Sequence, residues 1–168
     1  MTWNAKPIRC CRKSALTLIE LIAVLVLCAV IAGIVVVSVR SHVARANLAS
    51  SCEMLMACDS HARHVAHERG QPTRLFIGSG GRAAIRLPNG QIRTVARGVK
   101  IDRLWTARTS SRTGTLQVVM TANGQSETYA VRMTAGAKLS RWIMVLGGSG
   151  QTLVLKDERR VRRLLAIR

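Results

Sequence analysis

The 168-residue chain is poor in three things that would otherwise narrow its chemistry: aromatics, acids and prolines. Phe, Tyr and Trp make up 3 % of the residues, so a core must be built from Val, Leu, Ile, Ala and Met, and the chain has no set of exposed rings on which nucleobases could stack. Eight carboxylates face 26 Lys and Arg, for a formal net charge of +18. No paired-carboxylate spacing suited to acid–base work can be found, and there is no Gly-x-Ser-x-Gly. Gly78-Ser79-Gly80-Gly81 lacks the following helix and Lys of a phosphate loop and reads as a turn. The sequence therefore predicts neither enzyme nor cofactor. Cysteines add no staple: Cys10 and Cys11 belong to the basic N-terminal segment and Cys28 to an apolar run. Cys52 and Cys58 fall about 9 Å apart along a helix and on different faces, out of disulfide reach.

Against this background the apolar run from Leu16 to Val39 stands out. It is long enough to cross a bilayer as one helix and longer than an ordinary secretory signal core. It follows the basic residues Lys6, Arg9, Arg12 and Lys13, which place the N-terminus on the cytoplasmic side by the positive-inside rule. Within it lies one carboxylate, Glu20. An ionised carboxylate inside a membrane segment costs about 3 kcal/mol even on a lenient insertion scale, and such a residue is by default a functional one. The plainer reading is a signal anchor whose Glu20 snorkels to the interface.

The stretch Ala15-Leu16-Thr17-Leu18-Ile19-Glu20-Leu21 resembles the prepilin-type leader junction of type IV pilins and type II secretion pseudopilins. That resemblance implies a leader over residues 1–15, removed by a membrane-embedded prepilin peptidase between Ala15 and Leu16, with N-methylation of Leu16. It implies that Glu20, fifth in the mature chain, neutralises the terminal ammonium of a neighbouring subunit and so sets subunit register. Ala15 stands where Gly is usual and Leu16 where Phe is commonest, which implies slower processing. A Pro often found in such helices is replaced by Val35-Val36-Val37, implying a straighter helix despite Gly33.

The remaining organisation follows the same plan: a transmembrane helix over 16–39, a stalk helix over 40–70 stopped by Gly70 and Pro72, and an antiparallel β domain over 71–168 with a basic C-terminal tail. Leu48, Leu55, Cys58, Ala62 and Val65 form an apolar stripe on the stalk. Hairpins are expected across Pro88-Asn89-Gly90, Asn123-Gly124 and Gly147-Gly148-Ser149-Gly150. The expected fold class is α+β, and the resemblance implies a pilin-like arrangement of a long N-terminal transmembrane helix packed on an antiparallel β-sheet domain. Tyr129-Ala130-Val131-Arg132-Met133 followed by Arg141-Trp142-Ile143-Met144-Val145 and a Gly-rich turn is similar to the H-type minor pseudopilin of type II secretion and to FimT-like minor pilins.

The first branch implies a bacterial inner-membrane protein with a periplasmic domain, working in protein secretion. Its partners would be other pseudopilins, the prepilin peptidase and methyltransferase, the inner-membrane assembly platform and membrane lipid. The second branch implies DNA uptake in natural transformation, with Arg159, Arg160, Arg162 and Arg163 as the phosphate contact. Contact with lipopolysaccharide or anionic lipid would explain the same charge, and a signal-anchored β domain that never polymerises is the bland third reading. His61, His64 and Glu68 share a helical face and could ligate a metal, although a solvated polar face has the same spacing, and no metal site is expected.

Overall fold

The computed structural model describes residues 18–79, 84–107, 110–111, 114–136 and 139–165, the side chains of 35–37 and 110 excepted. The chain divides into two compact units, Met1–Val39 and Arg40–Arg168. The first unit contributes the start of helix α1 (Leu18–Arg69), a segment long and apolar enough to cross a membrane. Its described large side chains, among them Leu18, Ile22, Leu25 and Ile31, are exposed. This Val-, Ile- and Leu-rich stretch carries no proline to interrupt its helical hydrogen bonds, and its exposed apolar side chains suit a lipid environment.

In the second unit α1 ends as the Gly and Pro signals predicted. Gly70 takes φ 59°, the Gly70 amide donates to the His67 carbonyl and the Gln71 amide to the Ala66 carbonyl, a Schellman closure that satisfies two orphan carbonyls. The buried arc of this helix is wider than the stripe read from sequence: Leu48, Ser51, Cys52, Leu55, Cys58, Asp59, Ala62 and Ala66 are buried and Val65 is only half-buried. The expectation that Cys52 and Cys58 point to different faces is corrected accordingly. They occupy opposite edges of one buried arc, because α1 is covered by strands from two sheets. Both are free thiols pushed up in pKa, chiefly by burial, which leaves them poor nucleophiles.

Among the described residues nine strands form two antiparallel sheets. They are β1 (Thr73–Gly78), β2 (Ala84–Arg86), β3 (Ile92–Thr94), β4 (Val99–Thr106), β5 (Ser110–Ser111), β6 (Thr115–Met120), β7 (Tyr129–Ala135), β8 (Leu139–Val145) and β9 (Thr152–Leu155). The first sheet runs β3-β2-β1-β6 and the second β5-β4-β7-β8-β9. The hairpins across Pro88-Asn89-Gly90 and across the Gly147–Gly150 turn form as expected. The one expected across Asn123-Gly124 does not. Its turn closes through Thr121 and Gln125, but past the single Met120–Ser126 bridge the chain crosses to the other sheet, so β6 pairs with β1 and β7 with β4 and β8.

The centre of the second sheet is buried on both faces, which is why Trp142–Val145 of β8 reads as an apolar run rather than an alternating one. Ile143 and Val145, with Tyr129, Val131 and Met133, join Leu55, Ala62, Leu75 and Ile77 in the main core. Trp142 and Met144, with Trp105 and Ala130, pack instead against Val161 and Leu165. These last residues belong to helix α2 (Glu158–Leu164) and its C-cap, and the N-cap Asp157 accepts from the Arg159 amide at 2.9 Å. The basic stretch Glu158–Leu164 is a docked helix: without α2, the outer face of the second sheet would expose two tryptophans.

Candidate assembly and anion-contact sites

Three sets of polar residues carry chemistry here. The first is Glu20, in the first turn of α1, with exposed Ile19, Leu21 and Ile22 around it. The cleavage residues Ala15 and Leu16 lie outside the described residues.

The second set surrounds α2. Glu158 is its hub: Oε1 accepts from Arg103 Nη1 at 2.9 Å and Arg162 Nη2 at 3.0 Å, and Oε2 lies 3.9 Å from Arg132 Nη1, which is also 3.4 Å from Asp102. Beneath this lattice the Trp105 and Trp142 rings approach to 4.3 Å between centroids at 38°. Arg162 and Arg103 lie over the Trp105 ring at 5.2 and 6.0 Å, and Arg132 over Trp142 at 6.0 Å. Guanidinium planes over buried indoles contribute packing as well as cation–π attraction.

The four arginines singled out from sequence are thus divided. Arg162 is committed to Glu158 and Trp105, on the flank that holds α2 down. Arg159, Arg160 and Arg163 are exposed, and at 100° per residue Arg159 and Arg163 project opposite the buried Val161 and Leu165. They can meet a phosphate without disturbing the domain.

The third set was missed by sequence reasoning. Asp59, 3 % exposed at the side chain, accepts from Arg63 Nε at 2.7 Å through Oδ2 and from the buried Tyr129 hydroxyl at 2.8 Å through Oδ1. Arg63 Nη1 then donates to the carbonyls of Gly124 at 2.7 Å and Gly147 at 3.0 Å, while Nη2 donates to Ser126 Oγ at 2.8 Å. One helical side chain consequently ties together the segment that crosses between sheets and the β8–β9 turn. Gly147 is required there: a Cβ would be driven into the Ser126 carbonyl. The i, i+4 spacing of Asp59 and Arg63 was the signal available, but a solvated surface pair has the same spacing. This set is structural; it opens onto no reacting group.

His64 Nε2 lies 3.0 Å from Glu68 Oε1 with both side chains more than half exposed, and His61 is exposed on the same side of α1. The arrangement is that of a solvated polar face.

The distribution of acids explains the basic surface. Asp59, Asp102 and Glu158 are in ion pairs with arginines and Asp157 caps α2, so most carboxylates outside α1's apolar segment are engaged in structure. Arg74, Arg86, Arg93, Arg97 and Lys100 meanwhile face solvent. No family model, curated protein or solved structure matches this chain.

Proposed function

We propose that this chain is a minor pseudopilin of the H type, a membrane-anchored subunit of a short fibre that drives protein export across the bacterial cell envelope. The observation that carries the reading is Glu20 within Thr17-Leu18-Ile19-Glu20-Leu21, at the head of a helix apolar enough to cross a membrane and continuing into an α+β domain. A carboxylate there costs free energy unless a counter-charge meets it, and the α-ammonium of an adjacent processed subunit is the counter-charge that a helical array supplies. The domain would face the periplasm, held there by the leader charges.

Processing tests this reading. Co-expression with a prepilin peptidase should remove residues 1–15, and mass spectrometry should find N-methyl-Leu at position 16. Retention of the Met1 terminus under these conditions would overturn the assignment.

A second reading, a FimT-like minor pilin that binds DNA for transformation, draws support from the exposed face of α2. If Arg159, Arg160 and Arg163 are phosphate contacts, duplex DNA should bind with an affinity that falls steeply with salt. Replacing the three by Gln should then lower the slope of log K against log salt by about 0.9 for each phosphate that is no longer neutralised. Arg162 is best left in place, because its removal would loosen α2 and confound the measurement. Absence of DNA binding at low salt removes this reading and leaves secretion.

A further inference from the structure

Away from α2's exposed face, three more cations converge on one concavity. Arg45 on α1, Arg141 on β8 and Lys156 just after β9 line a groove of about 420 Å³ together with Leu48, Leu139 and Ser140. Arg45 and Lys156 are exposed and Arg141 is half-buried. Among the described residues no carboxylate lines the groove, and none of the three cations is in an ion pair. Elsewhere arginines lying against this domain are compensated, as Arg63 is by Asp59 and Arg103 by Glu158. Like charges gathered in a concave, partly apolar setting repel one another, and an anion relieves that repulsion.

Chain length bounds how far Arg45 can lie from the apolar run. Arg45 follows Val39, the end of the apolar run, by six residues. A fully extended tether of that length reaches only about 22 Å and a helical one about 9 Å. The polar headgroup zone begins where the hydrocarbon ends and is roughly 5–8 Å deep on each side. A helical side chain leans toward the N-terminus of its helix, so Arg45 leans toward the residues that precede it in the chain.

We propose that this groove takes the phosphodiester headgroup of an anionic glycerophospholipid from the adjoining membrane leaflet. Arg141 and Arg45 offer paired N–H donors to phosphate oxygens, Lys156 a compact charge and Ser140 a hydroxyl donor, while Leu48 and Leu139 meet the glycerol and the first acyl carbons. A zwitterionic ethanolamine headgroup would bring an ammonium into a site that already holds three cations. Selection for a net negative headgroup follows. The proposal depends on the apolar helix lying in a bilayer and is independent of fibre assembly.

The test uses the full chain in detergent micelles, with native mass spectrometry following retention of short-chain phosphatidylglycerol, phosphatidylethanolamine or inorganic phosphate. The parent should retain phosphatidylglycerol. Arg141→Gln with Lys156→Gln should weaken retention by roughly fivefold per residue, about 25-fold for the pair, with an unchanged near-ultraviolet spectrum of the buried tryptophans. Arg86→Gln with Lys100→Gln removes the same charge elsewhere and should leave retention within about twofold. Four results would each overturn the proposal. Equal loss in the control pair would mean diffuse surface charge, and equal retention of phosphatidylethanolamine a non-selective lipid belt. Displacement by inorganic phosphate at matched concentration would mean a free-anion site, and displacement by duplex DNA at matched phosphate a nucleic-acid site.

Discussion

Asp59→Ala is expected to cost the domain about 3–5 kcal/mol and to lower its melting midpoint by roughly 10–20 °C. The carboxylate is nearly inaccessible and serves two donors, the part-buried Arg63 Nε at 2.7 Å and the buried Tyr129 hydroxyl at 2.8 Å. Its removal leaves a guanidinium without a counter-charge in a part-buried site and a phenol without an acceptor. Arg63 would still hold the Gly124 and Gly147 carbonyls, yet with an uncompensated charge those bonds no longer offset its desolvation. Against total stabilities of roughly 5–15 kcal/mol, this is a large fraction. Near-ultraviolet circular dichroism of the Trp105–Trp142 pair on the full chain in detergent measures it. A midpoint within about 3 °C of the parent would mean that the network is not what joins the turns to α1. Asp59→Asn, which keeps an acceptor for Tyr129 but loses the charge, should fall between.

The same network makes the domain sensitive to alkali. Burial first, then the Asp59 charge and hydrogen bond, push the Tyr129 phenol well above its ordinary value of 10.0. Because the folded value exceeds the unfolded one, this contribution is fully present below about pH 10 and is lost as pH rises through the folded value. Tyr129→Phe should be less stable at neutral pH but less steeply dependent on pH in the alkaline range. Tyr129 is the chain's one tyrosine, so tyrosinate absorbance reports this site alone.

What could and could not be read from the sequence follows from how local each signal is. The end of α1 at Gly70, the Pro88-Asn89-Gly90 hairpin and the Gly147–Gly150 turn depend on residues adjacent in the chain, and they were legible. Strand β4 was not, because a register shift between Ile101 and Arg103 breaks its alternation and places Asp102 and Arg103 consecutively on half-buried positions. The partition into two sheets was hidden for a different reason. Asn123-Gly124 makes its turn whether or not the strands beyond it pair, and the decision lies with Arg63, some sixty residues earlier, through its bond to Ser126. Helix α2 left a trace that a charge count obscured: Asp157 followed by Val161 and Leu165 is an N-cap with apolar residues at helical spacing. With α2 in place, Arg162 separates from Arg159, Arg160 and Arg163, and the anion-contact reading sharpens from four arginines to three. The groove of Arg45, Arg141 and Lys156 had no sequence signature, since its members come from three separate stretches of chain.

On the proposed pseudopilin reading, Glu20→Ala is expected to leave membrane insertion intact, or make it easier, while reducing co-purification with partner pseudopilins at least tenfold. The two halves of that expectation have opposite physical origins. In the isolated subunit the carboxylate opposes burial in hydrocarbon, so its loss favours the membrane-inserted state. In an array of processed subunits, the same carboxylate at contact with a neighbouring α-ammonium is worth several kcal/mol where the effective dielectric is low, and each 1.4 kcal/mol removed is about a tenfold weakening of association. Glu20→Gln separates charge from shape, because it keeps side-chain length and hydrogen bonding and removes only the ionic attraction, and it should fail nearly as badly as Glu20→Ala. Glu20→Asp keeps the charge on a shorter arm and should recover part of the assembly. Carbonate extraction reports insertion and affinity pull-down reports assembly, so a variant that merely misfolds, failing in both, is distinguished from one that lacks only its counter-charge. Parental co-purification of Glu20→Gln would mean that apolar helix packing alone sets the register, and the reading of Glu20 as its determinant would be withdrawn.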